Sequence, residues 1–113
     1  MNNFARVLVS ESIKIAYDEV MDIQITEIPP SDLRPHGVKY SLNYRVMNSR
    51  GDWISVIRYD NAHIVKGHKK ADHRHILDRE IEEIEFISLE KIYKEILKLV
   101  TVLRGEIDEI KKL

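Results

Sequence analysis

Four of the five histidines in this 113-residue chain fall between Asn61 and His75, as His63, His68, His73 and His75. The same stretch carries Lys66, Lys69, Lys70 and Arg74 against a single acid, Asp72, with Arg58 and Asp60 just before it. An imidazole has an unperturbed pKa of about 6.5, so near neutrality it can take a proton in one step and return it in the next. Cleaving an RNA phosphodiester without a metal needs such proton transfers, together with cations that hold the charge building on the phosphoryl oxygens. On a strand His73 and His75 point to one face, about 6.5 Å apart along the chain. They are the expected acid and base, Asp60 or Asp72 the expected residue to orient an imidazole, and Arg58 and Arg74 the expected phosphate ligands. Asn61, His63, Lys66, His68, Lys69 and Lys70 extend this into a substrate-binding surface, and the scheme needs no cofactor.

Two other kinds of work suit the same residues. A His-x-His pair with His63, His68 or Asp72 meets the needs of a three-ligand metal site with an open position. The neighbouring lysines disfavour it, since a resident cation lowers affinity for a second one. A non-catalytic module that binds RNA or an acidic protein segment needs the basic patch but no titratable pair. Histidines that merely cap, pack or decorate a loop are the plain alternative, and four within thirteen residues make it less attractive than for any one alone.

The remaining composition narrows the classes. There are no cysteines, which excludes disulfides, thiolate metal sites and a cysteine nucleophile. A formal net charge of −1 makes the whole chain no nucleic-acid magnet, so any such affinity has to be local to the basic stretch. Charged residues make up 33% of the chain, mostly Lys, Arg and Glu, the bias associated with proteins of very hot environments. The opening Met-Asn-Asn-Phe-Ala-Arg shows no basic stretch followed by an apolar run. No apolar stretch approaches the roughly 18–20 residues needed to cross a bilayer, so the cytoplasm is the expected location and no membrane partner is expected.

The elements that must position these residues can be read from periodicity. Val20–Ile28 is rich in β-branched residues and stops at Pro29-Pro30, as a strand must. Lys39–Met47 alternates, with Tyr40, Leu42, Tyr44 and Val46 on one face and Lys39, Ser41, Asn43 and Arg45 on the other. Asn48–Asp52, with Gly51 inside it, reads as a hairpin connection returning into Trp53–Tyr59. The first twenty residues suggest a leading hairpin turning near Asp18-Glu19. Ile64–Asp72 reads as a loop, Arg74–Ile76 as a short strand, and Ile84–Ile87 as one more. Ser88 is a helix N-cap, with Glu90 in the first turn. Leu89, Ile92, Ile96, Leu99, Leu103, Ile107 and Ile110 then form one apolar stripe.

These elements predict a single α+β domain over residues 1–113: an antiparallel sheet over roughly 5–87 and a long C-terminal helix over roughly 88–112, packed on one face. At 1.5 Å per residue such a helix is about 37 Å long, more than a sheet of this size can cover. Either the last turns overhang and pair with another chain or Gly105 ends the packed part; the first is the expectation, making a homodimer through the C-terminal helix.

The run Arg58-Tyr-Asp-Asn61, followed by a glycine-containing loop and Asp72-His-Arg-His-Ile76, resembles the TumE family of toxin–antitoxin proteins. That family has an Arg-Tyr-Asp-Asn strand end before a Gly-Lys-Gly-Asp-His-(Lys/Arg)-His loop. The resemblance takes in the strand of Tyr40 to Val46 and continues through Glu80, Phe86, Ser88 and Leu89, covering roughly Ile23 to Val100. It implies a toxin made beside a helix-turn-helix antitoxin, with RNA cleavage the leading proposal for its activity. It singles out Arg58, Asp60, Asn61, Asp72, His73 and His75. The chain departs from the family in a longer loop, Ala62–Ala71, with Lys70-Ala71 where the family has Lys-Gly, and in a C-terminal helix that runs on.

Overall fold

The computed structural model describes residues 5–113. Six strands form one antiparallel sheet in the order of the chain: β1 (Arg6–Ala16), β2 (Glu19–Glu27), β3 (Val38–Met47), β4 (Trp53–Asp60), β5 (His73–Ile76) and β6 (Glu82–Glu83). Two helices follow, α1 (Leu89–Val102) and α2 (Arg104–Lys111). The α+β class and the antiparallel sheet are as the periodicity predicts, including the leading hairpin, which turns at Tyr17-Asp18.

The alternation in β3 decides which face is which. Tyr40, Leu42, Tyr44 and Val46 are all buried, while the residues between them are half-buried. Strand register sets Met21 and Ile57 opposite Tyr44, and Ile76 opposite Ile57, so one apolar face runs across four strands. The helical stripe of Ile92, Ile96, Val100, Leu103 and Ile107 joins the same buried cluster. Each such side chain contributes roughly 1.5–3 kcal/mol on leaving water, which is what fixes the helices to this side.

The C-terminal segment differs from the single long helix expected. It consists of 14 and 8 helical residues separated by Leu103, whose φ and ψ of −92° and 9° leave the helical region. Nor does it overhang. Ile107 is fully buried, Lys111 forms ion pairs with Asp18 and Glu19 at 3.2 and 2.6 Å, and the Ser49 N–H donates to the Leu113 carbonyl at 3.1 Å. The part of the stripe expected to overhang packs on the chain's own sheet through Leu103 and Ile107. Ser88 caps α1 as predicted, its Oγ accepting from the Lys91 N–H at 3.1 Å. The last strand lies at Glu82–Glu83 and not at Ile84–Ile87.

Two loops close together at the end of β4 and frame the histidines. The Arg34 Nε donates to the Asn61 carbonyl at 2.7 Å and its Nη2 to the Ala62 carbonyl at 3.1 Å. The Lys70 Nζ donates to the Asp32 carbonyl at 2.8 Å. Gly37, at φ +70°, lets the first loop turn back so that its carbonyl accepts the Ile28 N–H at 2.9 Å.

Candidate functional site

Register assembles the site. Arg58 lies opposite His75 and Asp60 opposite His73, while Asn43 and Ser41 flank them on β3. Opposed residues share a face, and Tyr59 and Leu42 between them point to the helices. Arg58, Asp60, His73 and His75 therefore stand on the face that carries no helix. The two imidazoles meet edge to face, their centroids 5.0 Å apart.

Arg58 is the hub. Its Nη2 lies 3.0 Å from His75 Nε2, and its Nε lies 2.9 Å from Asp60 Oδ2 as an ion pair. A guanidinium can only donate, so Nε2 of His75 accepts and the neutral ring carries its hydrogen on Nδ1. Burial lowers the His75 pKa, the neighbouring Arg58 and His73 act in the same direction, and Asp60 opposes them. Asp60 also accepts the Ala62 N–H at 3.1 Å, and its Oδ1 lies 3.3 Å from His73 Nε2. The other ring nitrogen of His73 lies 2.7 Å from the Ala71 carbonyl. A carbonyl only accepts, so Nδ1 of His73 carries a hydrogen.

Depth separates these residues into two layers. His73 and Asp60 are 1% and 2% exposed, behind the sheet surface. Arg58 keeps 38% of its side-chain surface, and His75 is half-buried. Arg58 and His75 are thus the members that meet solvent, with Asp60 and His73 fixed beneath them.

Asp60, His73 and His75 offer three ligand atoms within 4.8 Å of one another, a spacing suited to a metal ion. The Arg58 guanidinium already lies against two of the three. It is the cation of this cluster, and a metal entering would have to displace it.

The other sequence-predicted residues fall elsewhere. Arg74 is on the opposite face, its Nη1 donating to the Tyr59 hydroxyl at 2.9 Å and its Nη2 to Glu82 at 3.0 Å. Asp72 is buried and accepts the Tyr40 hydroxyl at 2.8 Å, so it anchors the strand and does not orient either imidazole. Asn61 is also buried: its amide donates to the Val38 carbonyl, and its Oδ1 accepts the Tyr40 N–H, both at 2.8 Å. His63, Lys66, Lys69 and Lys70 are exposed on the loop, with His68 half-buried among them. Glu83 draws this loop in by accepting the Lys69 N–H at 2.6 Å and the Lys70 N–H at 3.2 Å.

Sequence reasoning left the rest of this sheet face out of the site. Across it the Arg45 guanidinium lies 4.5 Å from the Trp53 ring centroid and is held by Asp22 at 2.6 and 3.2 Å. The polar half of the β3 alternation, Lys39, Ser41, Asn43 and Arg45, was the signal that would have included it.

Residues 5–104 match the family model described as Toxin TumE. Searches of curated proteins and of solved structures returned no match. No helix among the described residues is long and apolar enough to cross a membrane.

Proposed function

The chain belongs to the TumE toxin family, and from that premise we propose that it is a metal-independent ribonuclease acting from the helix-free face of its sheet. The observation that supports this best is the Arg58–His75 contact at 3.0 Å, a phosphate-seeking fork against a neutral imidazole at the surface. An RNA phosphate is a bidentate acceptor that competes for the guanidinium. Drawing Arg58 onto the phosphate uncovers the Nε2 lone pair of His75, which then takes the proton of the attacking 2′-hydroxyl; as the 2′-oxygen bonds to phosphorus the P–O5′ bond breaks, a solvent water protonates the departing 5′-oxygen, and a 2′,3′-cyclic phosphate is left. Arg58 remains on the phosphoryl oxygens as negative charge builds there. Asp60 and His73 hold this pair in place from below without touching the substrate, and the exposed loop cations Lys66, Lys69 and Lys70 bind the strand's other phosphates. A toxin of this kind acts in the cytoplasm, restrained by its antitoxin, which we take to be a helix-turn-helix protein.

Two observations favour other readings. Of the His73–His75 pair only His75 is reachable, and a non-catalytic RNA- or protein-binding module needs no more than that. The ligand spacing of Asp60, His73 and His75 would suit a metal-dependent hydrolase if Arg58 swung away.

One experiment separates the three. Purified protein is incubated with total cellular RNA, with and without a chelator, beside His75→Gln and Arg58→Ala variants of unchanged melting temperature. Cleavage that survives chelation and disappears in both variants is the expected result. Cleavage lost on chelation moves the site to metal chemistry. RNA bound equally by wild type and His75→Gln, with no cleavage by either, leaves a binding module.

A further inference from the structure

We propose that the far end of the same sheet face is a base-stacking subsite for single-stranded RNA, built on Trp53 and Tyr17. This rests on the reading of the face as an RNA surface and extends it to a place the histidines do not reach.

The two aromatics are exposed where aromatics seldom are. Tyr17 is 75% exposed and Trp53 41%, whereas Tyr40, Tyr44 and Tyr59 are all buried on the helix side. Trp53 opens β4 beside Arg45, and Tyr17 lies in the β1–β2 turn at the same end of the sheet. Trp53 opposes Met47, and the Met47 N–H donates at 2.9 Å to the carbonyl of Asp18, the residue after Tyr17. Trp53, Ser55 and Arg58 follow one another along β4, so Trp53 stands roughly 15 Å from the Arg58–His75 pair at strand rise. A short single strand held at Arg58 covers that distance.

Charge suits the same occupant. Arg45 lies against the Trp53 ring and is fixed there by Asp22. Lys14 on β1 is exposed at this end, and Arg50 in the β3–β4 turn keeps 73% of its side-chain surface. The carboxylates at this end are engaged: Asp22 by Arg45, Asp18 by Lys111, and Asp52 more loosely by Arg50 at 3.7 Å. An aromatic platform beside cations is the arrangement that binds unpaired bases with little sequence preference, because every base has a π face and every linkage a phosphate. A duplex keeps its bases stacked on one another and cannot use it.

Trp53 is the chain's one tryptophan, so its fluorescence reports on this subsite directly. The experiment titrates the whole protein with a non-cleavable 2′-O-methyl oligonucleotide, single-stranded or annealed to its complement. The affinity of Trp53→Leu, Trp53→Phe and Tyr17→Ala variants is read by anisotropy of the labelled strand, and cleavage of the matching unmodified RNA is scored in parallel. Quenching by the single strand and not the duplex is expected. Affinity should fall about ten-fold in Trp53→Leu, less in Tyr17→Ala, and be restored in Trp53→Phe. Unchanged affinity in Trp53→Leu, with cleavage intact, overturns the stacking subsite and leaves the ribonuclease reading standing. No binding and no cleavage by wild type overturns both.

Discussion

Arg58 and His75 face each other across β4 and β5 with Nη2 3.0 Å from Nε2, so the one side chain that must donate meets a ring nitrogen that must accept. The contact keeps the imidazole neutral and its lone pair covered until something takes the guanidinium away. Replacing His75 with glutamine keeps a polar group there but removes the titratable one. RNA cleavage by His75→Gln is expected to fall about 10²–10⁴-fold, while single-strand affinity stays within a few-fold. Arg58→Lys retains the charge but not the fork, and should lose both affinity and rate.

The pH dependence follows from the same contact. His75 acts as a base only when neutral, and its pKa is lowered from the ordinary 6.5. The base form is therefore present above that lowered value and is lost as pH falls through it. Cleavage should rise with pH to a midpoint below 6.5 and then level off. Since the Arg58 charge helps depress that pKa, Arg58→Gln should move the His75 titration upward. An NMR titration of the ring protons that showed no upward movement would count against the pairing.

Stability at low pH depends on the clamp that holds α2. Glu19 is buried and accepts from the Tyr44 hydroxyl, from Arg104 at 3.1 and 3.3 Å and from Lys111 at 2.6 Å. Burial alone would raise its pKa, but the hydrogen bonds from Arg104, Lys111 and Tyr44 outweigh that and hold it at about 2. A carboxyl with a depressed folded-state pKa contributes stability that is complete above its unfolded value, here 4.5, and is lost as pH falls through about 2. Glu19→Gln leaves the partly exposed Arg104 and Lys111 without their shared carboxylate and should cost about 1–3 kcal/mol in urea unfolding at pH 7. The deficit should narrow between pH 4.5 and 2.

The packing of α2 can be tested against its exposed neighbour. Ile107 is fully buried and Val102 is 69% exposed, although both lie in the C-terminal helical segment. Ile107→Ala should destabilise the protein by about 2–5 kcal/mol. Val102→Ala should stay within about 0.5 kcal/mol. Equal, small effects at the two positions would mean that α2 is not seated on the sheet.

Two glycines should respond to alanine with opposite signs. Gly105 lies in α2 with nothing within 4 Å of an added Cβ. Gly105→Ala should stabilise by about 0.4–1 kcal/mol, measured as a shift in the denaturation midpoint. Gly37 has φ +70°, and an added Cβ would come within 3.1 Å of the Ile28 carbonyl. Gly37→Ala should destabilise by more than about 1 kcal/mol.

Much of this arrangement is legible in the sequence. The alternation from Tyr40 to Val46 fixes β3 and its buried face, the turn residues at Asn48–Asp52 fix the hairpin, and Ser88 marks the start of α1. The site was legible as a segment but not as a surface. His73 and His75 share a face as their spacing predicts, yet the spacing says nothing of depth, which depends on the two loops folded over the end of β4. Arg74 and Asp72 alternate with the histidines and so face the helices, while Asn61 turns inward to bond β3. The helix break at Leu103 carries no mark in the apolar stripe, because Leu103 and Ile107 keep their helical spacing on either side of it. The strand expected at Ile84–Ile87 misled for a related reason: its apolar residues resemble a strand, whereas β6 is the exposed pair Glu82–Glu83, placed by pairing with β5.

The strands pair in the order in which they leave the ribosome, each with the one before it. Arg58, Asp60, His73 and His75 have all been joined to the chain once residue 76 has been made. The apolar side of those strands, from Tyr40 to Ile76, has nothing to rest on until residues 89–111 follow. During synthesis these four residues are made before the layer that holds their sheet together. The growing chain therefore carries its histidine cluster for an interval in which it has no core to fold around, and the last two dozen residues to be translated decide when the molecule becomes a folded one.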